Sequence, residues 1–172
     1  MNKVELAYLA GVMDSDGYFT IKKSTYQVRV TKDSKNPVYF EKCGIKQVQP
    51  EAVSLIHQNF GGYYRIEKPS SKNGKPLHSI SLSNLKAHVF IKAICPYLRI
   101  KKKQAKILLD LRKSLKEGKK GVGEKFSQKS RWGTMMMSQR TAVSPKQILH
   151  RENLIKEIKS LNDTRPWSYI PE

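Results

Sequence analysis

The sequence predicts an α+β fold: one domain in which helices and short antiparallel strands follow the order α-β-β-α-β-β-α-α. Three observations lead there. Stretches alternating with period two, such as Tyr18-Phe19-Thr20-Ile21-Lys22 and Ser79-Ile80-Ser81-Leu82-Ser83, are short and come in pairs. Between the pairs lie stretches whose apolar residues recur every three or four positions. At 172 residues and 38% apolar content the chain, 1–172, suits a single core, and it shows no internal repeat.

The first helix covers about residues 4–15. Leu6, Leu9 and Met13 share one face and Val4, Tyr8 and Val12 another, which predicts burial on two sides. Ala7, Gly11 and Ser15 recur every four residues, a line of small side chains along which a second backbone can approach. Asp14 and Asp16 close this helix, although carboxylates at a helix C-terminus oppose its dipole, so helix stability does not account for them. Gly17 supplies the conformational freedom to leave the helix.

A strand follows, with Phe19 and Ile21 on one face and Tyr18, Thr20 and Lys22 on the other. Residues 26–31 continue it, Val28 and Val30 against Gln27, Arg29 and Thr31, and residues 32–37 read as a turn. Residues 38–49 return as a second long strand with Cys43 and Ile45 inward and Lys42, Lys46 or Gln47 towards the polar side. Its early part alternates poorly, which predicts a bulge. Pro50 and Glu51 open a helix with a stripe of Val53, Ile56 and Phe60, stopped by Gly61-Gly62. A hairpin comes next, residues 63–67 and 77–82, around an Asn73-Gly74 turn signal. Its second strand puts Ser79, Ser81 and Ser83 on one face, hydroxyls suited to phosphates or base edges, although an ordinary solvated position is the commoner fate of any one serine.

Asn84 is placed to cap a helix carrying Leu85, Val89, Phe90 and Ile94, which ends at Pro96. In a longer helix over residues 98–116, Ile100, Ile107, Leu108, Leu111 and Leu115 form the buried stripe. Lys101, Lys102, Lys103 and Lys106 crowd its first two turns, where cations oppose the dipole. Residues 118–143 have little apolar periodicity and many lysines, and read as a basic loop able to order on nucleic acid. Ser144 caps and Pro145 starts a last helix, about 145–161, with Ile148, Leu154, Ile158 and Leu161.

Lys and Arg number 33 against 14 Asp and Glu, a formal charge of +19, which points to a polyanion: DNA, RNA or an anionic membrane. No apolar run approaches the roughly 20 residues of a spanning helix, and no signal peptide is apparent, so the sequence predicts an intracellular protein (cytoplasm, nucleoid or organelle matrix) on nucleic acid, with no membrane partner. Cys43 and Cys95 match no zinc spacing and read as small core residues.

The nine residues Leu9-Ala10-Gly11-Val12-Met13-Asp14-Ser15-Asp16-Gly17 resemble the LAGLIDADG motif, with Leu9, Ala10, Gly11, Asp14, Asp16 and Gly17 matching and Val12, Met13 and Ser15 as mild variants. The chain therefore resembles the LAGLIDADG homing endonucleases. That resemblance implies a curved four-stranded antiparallel sheet whose polar face lies along the DNA major groove. It also implies that Asp16 ligates a divalent metal together with the Ser15 backbone carbonyl, Mg²⁺ with Mn²⁺ able to substitute. Asp14 either joins them or has a structural hydrogen-bonding role. The stretch Pro96-Tyr97-Leu98-Arg99-Ile100-Lys101-Lys102-Lys103-Gln104-Ala105 resembles the family's basic segment, which would put Lys101 at the scissile phosphate. A lysine in such a run more often lies on a solvated helical face. Gln47, rather than Gln49, is the residue expected to order solvent.

One motif per chain implies a homodimer through Ala7, Gly11 and Ser15, making a staggered double-strand cut at a long, partly palindromic site in intron or intein homing. On the strands, Tyr18, Thr20, Lys22, Arg29 and Lys42 are expected to face DNA. Lys46, Arg65, Glu67, Ser79 and Ser81 would extend that face. Two other readings stay open: an intron maturase on structured host RNA, and a DNA-binding regulator with a relic site.

Overall fold

The computed structural model describes residues 1–24, 37–69, 74–117, 122–130, 133–140 and 143–163. Four strands, β1 (Tyr18–Ser24), β2 (Val38–Gln47), β3 (Tyr63–Glu67) and β4 (Leu77–Ser83), form one antiparallel sheet in the order β1-β2-β4-β3. Among the described residues five helices accompany it: α1 (Lys3–Ser15), α2 (Glu51–Phe60), α3 (Asn84–Ile94), α4 (Lys102–Glu117) and α5 (Pro145–Asn162). The α+β order read from the sequence holds, and among the described residues no helix is long and apolar enough to cross a membrane.

Alternation decides which sheet face is covered. Phe19 pairs with Cys43 and Cys43 with Leu82, while Ile45 pairs with Ile80, so these side chains share one face and all are buried. Against that face pack α3 and α4, with α5 alongside α4 and β1, and α1 against α3. The core continues through Leu9 and Met13 of α1, Val53 and Ile56 of α2, Phe90 and Ile94 of α3, and Leu108 and Leu111 of α4. Capping boxes fix both chain-distal helix starts, Asn2 with Glu5 on α1 and Ser144 with Gln147 on α5. Gly61 and Gly62, at φ 68° and 109°, turn the chain from α2 into β3 in a conformation that side chains resist.

The expected bulge in β2 is absent: pairing with β1 runs unshifted from Tyr18 opposite Gly44 to Ser24 opposite Val38. Alternation looked poor because two inward positions carry polar groups. Tyr39 and Glu41 are both buried, Glu41 completely, and Arg112 of α4 reaches both Glu41 oxygens at 2.5 Å. The Tyr39 hydroxyl donates to Glu152 of α5, which also pairs with Lys23. Buried Arg151 packs over the Tyr39 ring and donates to the Ser114 hydroxyl and carbonyl. Helices α4 and α5 thus dock on the β1–β2 end of the sheet through a satisfied polar layer.

Four further expectations change. Ser83, not Asn84, is the N-cap of α3, and Asn84 itself has φ 55°. The buried stripe of α3 is Ala87, Phe90, Ile91 and Ile94, with Leu85 and Val89 exposed. Helix α4 starts at Lys102, so that Leu98 is buried in the preceding turn and Ile100 is 75% exposed. Residues 118–143 are not simply a basic loop: β5 (Val122–Ser130) and β6 (Gly133–Arg140) pair as a second antiparallel sheet. Cross-strand backbone hydrogen bonds require no apolar periodicity, which is why the composition gave no sign of them. The expected strand at 26–31, with Arg29, all of the expected turn at 32–37 except Pro37, and Asn73 lie outside the described residues.

Candidate active site and nucleic-acid face

Two features of the sequence oppose helix dipoles, carboxylates at the end of α1 and lysines at the start of α4. The fold sets them against each other. Asp14 Oδ2 accepts from the Arg99 N–H at 2.7 Å and Oδ1 from the Lys101 N–H at 2.8 Å, placing a carboxylate at the N-terminus of α4. In return Lys101 Nζ donates to the carbonyls of Met13 at 3.1 Å, Ser15 at 3.0 Å and Gly17 at 2.7 Å, placing an ammonium at the C-terminus of α1. Each helix end is thus completed by a side chain from the other. All three Lys101 donors are in use. Desolvation holds its ammonium below the ordinary lysine pKa, with Asp14 and Asp16 opposing that shift.

Asp16 has no such backbone commitment. Its Oδ2 accepts from Gln47 Nε2 and its Oδ1 from Ser15 Oγ, each at 2.8 Å, and the side chain is otherwise open to water. Those hydrogen bonds, Gln47 first and then Ser15, hold its carboxyl below the ordinary value. The fold therefore brings Asp16, Ser15, Gln47 and Lys101 to one place, the junction of α1, β1, the end of β2 and the start of α4. Of the two roles open to Asp14 the structure shows the hydrogen-bonding one, with partners 85 and 87 residues away that the sequence could not name; the pair of dipole violations was their one sign.

The donor set suits a hard divalent ion. Asp16 offers an ionised, solvent-facing carboxylate with a lone pair to spare on each oxygen, and Ser15 a carbonyl beside it. Among the described residues no three of His, Cys, Asp and Glu converge, so an ion at Asp16 would keep several waters.

The uncovered face of the sheet carries most of the residues expected to meet DNA. One row across the strands reads Tyr18, Gly44, Ser81, Tyr63, and another Lys46, Ser79, Arg65. Thr20 lies opposite Lys42, Lys22 one pleat further on, and Glu67 beside Arg65. A Cβ at Gly44 would come within 2.2 Å of the Ile80 carbonyl and 2.9 Å of the Tyr18 hydroxyl, so only glycine lets Tyr18 lie down on the sheet there. Glu67 bonds Lys46 Nζ at 2.8 Å and Arg65 Nε at 2.8 Å, and these cations hold its carboxyl below the ordinary value, Lys46 foremost. Ser79, at 7% exposure between Lys46 and Arg65, is the least accessible of the set.

The line of small residues on α1 is open. Ala7, Gly11 and Ser15 are exposed, a Cβ on Gly11 would meet nothing within 4 Å, and Val4 is 78% and Tyr8 49% exposed. A groove runs between Ala7, Gly11 and Asp14 on one side and Pro96, Tyr97 and Arg99 on the other.

No established family profile and no curated protein sequence matches the chain. Solved structures do. The homing endonuclease I-CvuI, seen with the I-CreI target in the presence of magnesium and with the DNA not cleaved, superposes with a TM-score of 0.63 at 17% identity, over 95% of this chain and 85% of that one. The archaeal intron-encoded homing endonuclease I-Vdi141I, complexed with DNA, gives 0.62 at 14% identity, over 96% and 89%. The homing endonuclease I-TnaI gives 0.52 at 13% identity, over 91% and 92%. The fold of this chain is the LAGLIDADG homing endonuclease fold, as the motif at Leu9 to Gly17 implied.

Proposed function

We propose that the chain is a homodimeric, sequence-specific DNA endonuclease that makes a divalent-metal-dependent, staggered double-strand cut at a long, partly palindromic site. The observation that carries this reading is the convergence of Asp16, Gln47 and Lys101 at the end of α1, on a scaffold shared with DNA-bound homing endonucleases. Asp16 and the Ser15 carbonyl would hold the ion, Mg²⁺ or Mn²⁺, which when bound supplies Lewis acidity to a phosphodiester and lowers the pKa of water. Gln47, whose amide reaches the Asp16 carboxylate, would order solvent beside the ion. Lys101 holds a positive charge at the helix end, where it offsets negative charge developing on phosphate. The uncovered sheet face reads the duplex, phosphate contacts setting affinity and base edges setting preference.

On this reading two copies act together, because one chain brings one motif Asp16 to a cut through two strands, and the open strip of α1 supports a symmetric interface between them. Gly11→Leu has room in the single chain and improves helix propensity by roughly 0.5–1 kcal/mol. It should therefore keep or raise the thermal midpoint while light scattering shows the dimer lost; a dimer that persists would move the interface elsewhere. The decisive experiment is electrophoresis of a library of long duplexes incubated with the protein and Mg²⁺. Discrete cutting with short overhangs supports the reading. Tight duplex binding without any cutting overturns it and favours the RNA maturase alternative.

A further inference from the structure

We infer that Asp14 is a positioning residue: it holds no metal, and by fixing the backbone of residues 99–101 it delivers the Lys101 ammonium to the end of α1 beside Asp16. This rests on the reading of Asp16 and Lys101 as the cleavage site. Both Asp14 oxygens are aimed at backbone N–H groups, of Arg99 at 2.7 Å and Lys101 at 2.8 Å, and two such bonds fix both the position and the tilt of the intervening peptides. The Lys101 side chain then starts from a set point, and its flexible four-carbon stem ends on three carbonyls. Turning Asp14 towards a metal would strip two N–H groups at the start of α4 of their acceptor. Asp16 is different, since it accepts only from the Gln47 and Ser15 side chains, which can swing away.

A double-mutant cycle separates positioning from the other roles, because an effect transmitted through Lys101 disappears once Lys101 is gone. On a duplex taken from the cleavage screen, Asp14→Ala should slow single-turnover cutting at least tenfold with DNA affinity changed less than twofold. Added to Lys101→Met, it should slow cutting by less than a further twofold. Asp14→Asn, which keeps one acceptor oxygen, should lie between and stands in if the alanine variant fails to fold. Multiplicative losses in the double variant, or a changed Mg²⁺ dependence on Asp14→Asn, would overturn the inference. Amide and ammonium proton NMR gives a readout that needs no cutting. The Lys101 ammonium should exchange slowly in the parent and be lost to exchange in the Asp14 variants, and a signal that persists would overturn the inference. A parent that cuts nothing but behaves this way by NMR would refute the nuclease reading alone.

Discussion

Glu41 and Glu67 sit on opposite faces of the same sheet, each held by an arginine, and differ in what surrounds them. Glu41 is wholly buried between β2 and α4, both oxygens taken by Arg112. Glu67 lies on the uncovered face between Arg65 and Lys46, whose side chains are 52% and 49% exposed. In the dry setting neither partner has an alternative, so the pair is part of the architecture. In water each partner can be exchanged at little cost, so the second group is free to trade its internal bonds for others. Charge committed to the fold and charge held in reserve are told apart by solvent, not by residue type.

The comparison is broken most severely from the buried side. Glu41→Ala leaves the Arg112 guanidinium unpaired beneath the sheet and should cost about 3–5 kcal/mol of stability in denaturant titration. A midpoint unchanged from the parent would show that water reaches Arg112. Next comes Asp16→Asn, where cleavage should fall at least a hundredfold, about 2.7 kcal/mol in barrier, while duplex affinity holds or rises. Two Asp16 groups brought together in a dimer repel by about 1 kcal/mol at 4 Å in water and about 4 kcal/mol at an effective dielectric of 20, and the amide relieves that. Because the Asp16 carboxyl lies below its ordinary value, the parent should lose cutting on the acid side only beneath the usual carboxylate range. An Asp16→Asn variant that cuts at the parental rate would remove Asp16 from the site.

On the reserve side the effects shrink. Arg65→Ala should alter duplex affinity or base preference by about 1–3 kcal/mol and leave stability within about 0.5 kcal/mol; unaltered binding to matched and mismatched duplexes would make this face merely solvated. Smallest is Glu67→Gln. Its carboxyl is held below the ordinary 4.5, so the stabilisation is complete above that value and is lost as pH falls through the lower folded value. The variant should melt with the parent once pH has fallen through that lower value and slightly before it at neutral pH, where it should also bind duplex with a salt dependence steeper by about one or two released counterions. An unchanged salt slope would mean that Lys46 and Arg65 stay off the phosphates.

What was legible in the sequence follows the same division. Phe19, Ile21, Cys43, Ile45, Ile80 and Leu82 announced the sheet because apolar burial leaves a period, and six residues of one motif announced the helix end that carries Asp16. Glu41 and Tyr39 broke that period and were misread as a bulge, since their partners Arg112 and Glu152 lie on helices far along the chain. Leu85 and Val89 were assigned to the core of α3 although Ala87 and Ile91 lie there, because several apolar stripes fit one short helix and only the neighbours choose among them. The hairpin β5–β6 is held by backbone pairing, which composition does not record.

The exchange of side chains between the ends of α1 and α4 has a consequence for biosynthesis. Asp14 and Lys101 are separated by 87 residues, so a nascent chain carries the acidic motif long before the lysine that completes it has been polymerised. Until residue 101 has emerged and the sheet has closed, the last carbonyls of α1 are left to water, and no N-terminal fragment short of that point holds Lys101 beside Asp16. A truncated or stalled product would therefore contain the whole motif and yet lack the assembled helix junction, which would arrive late and all at once, with the completed domain.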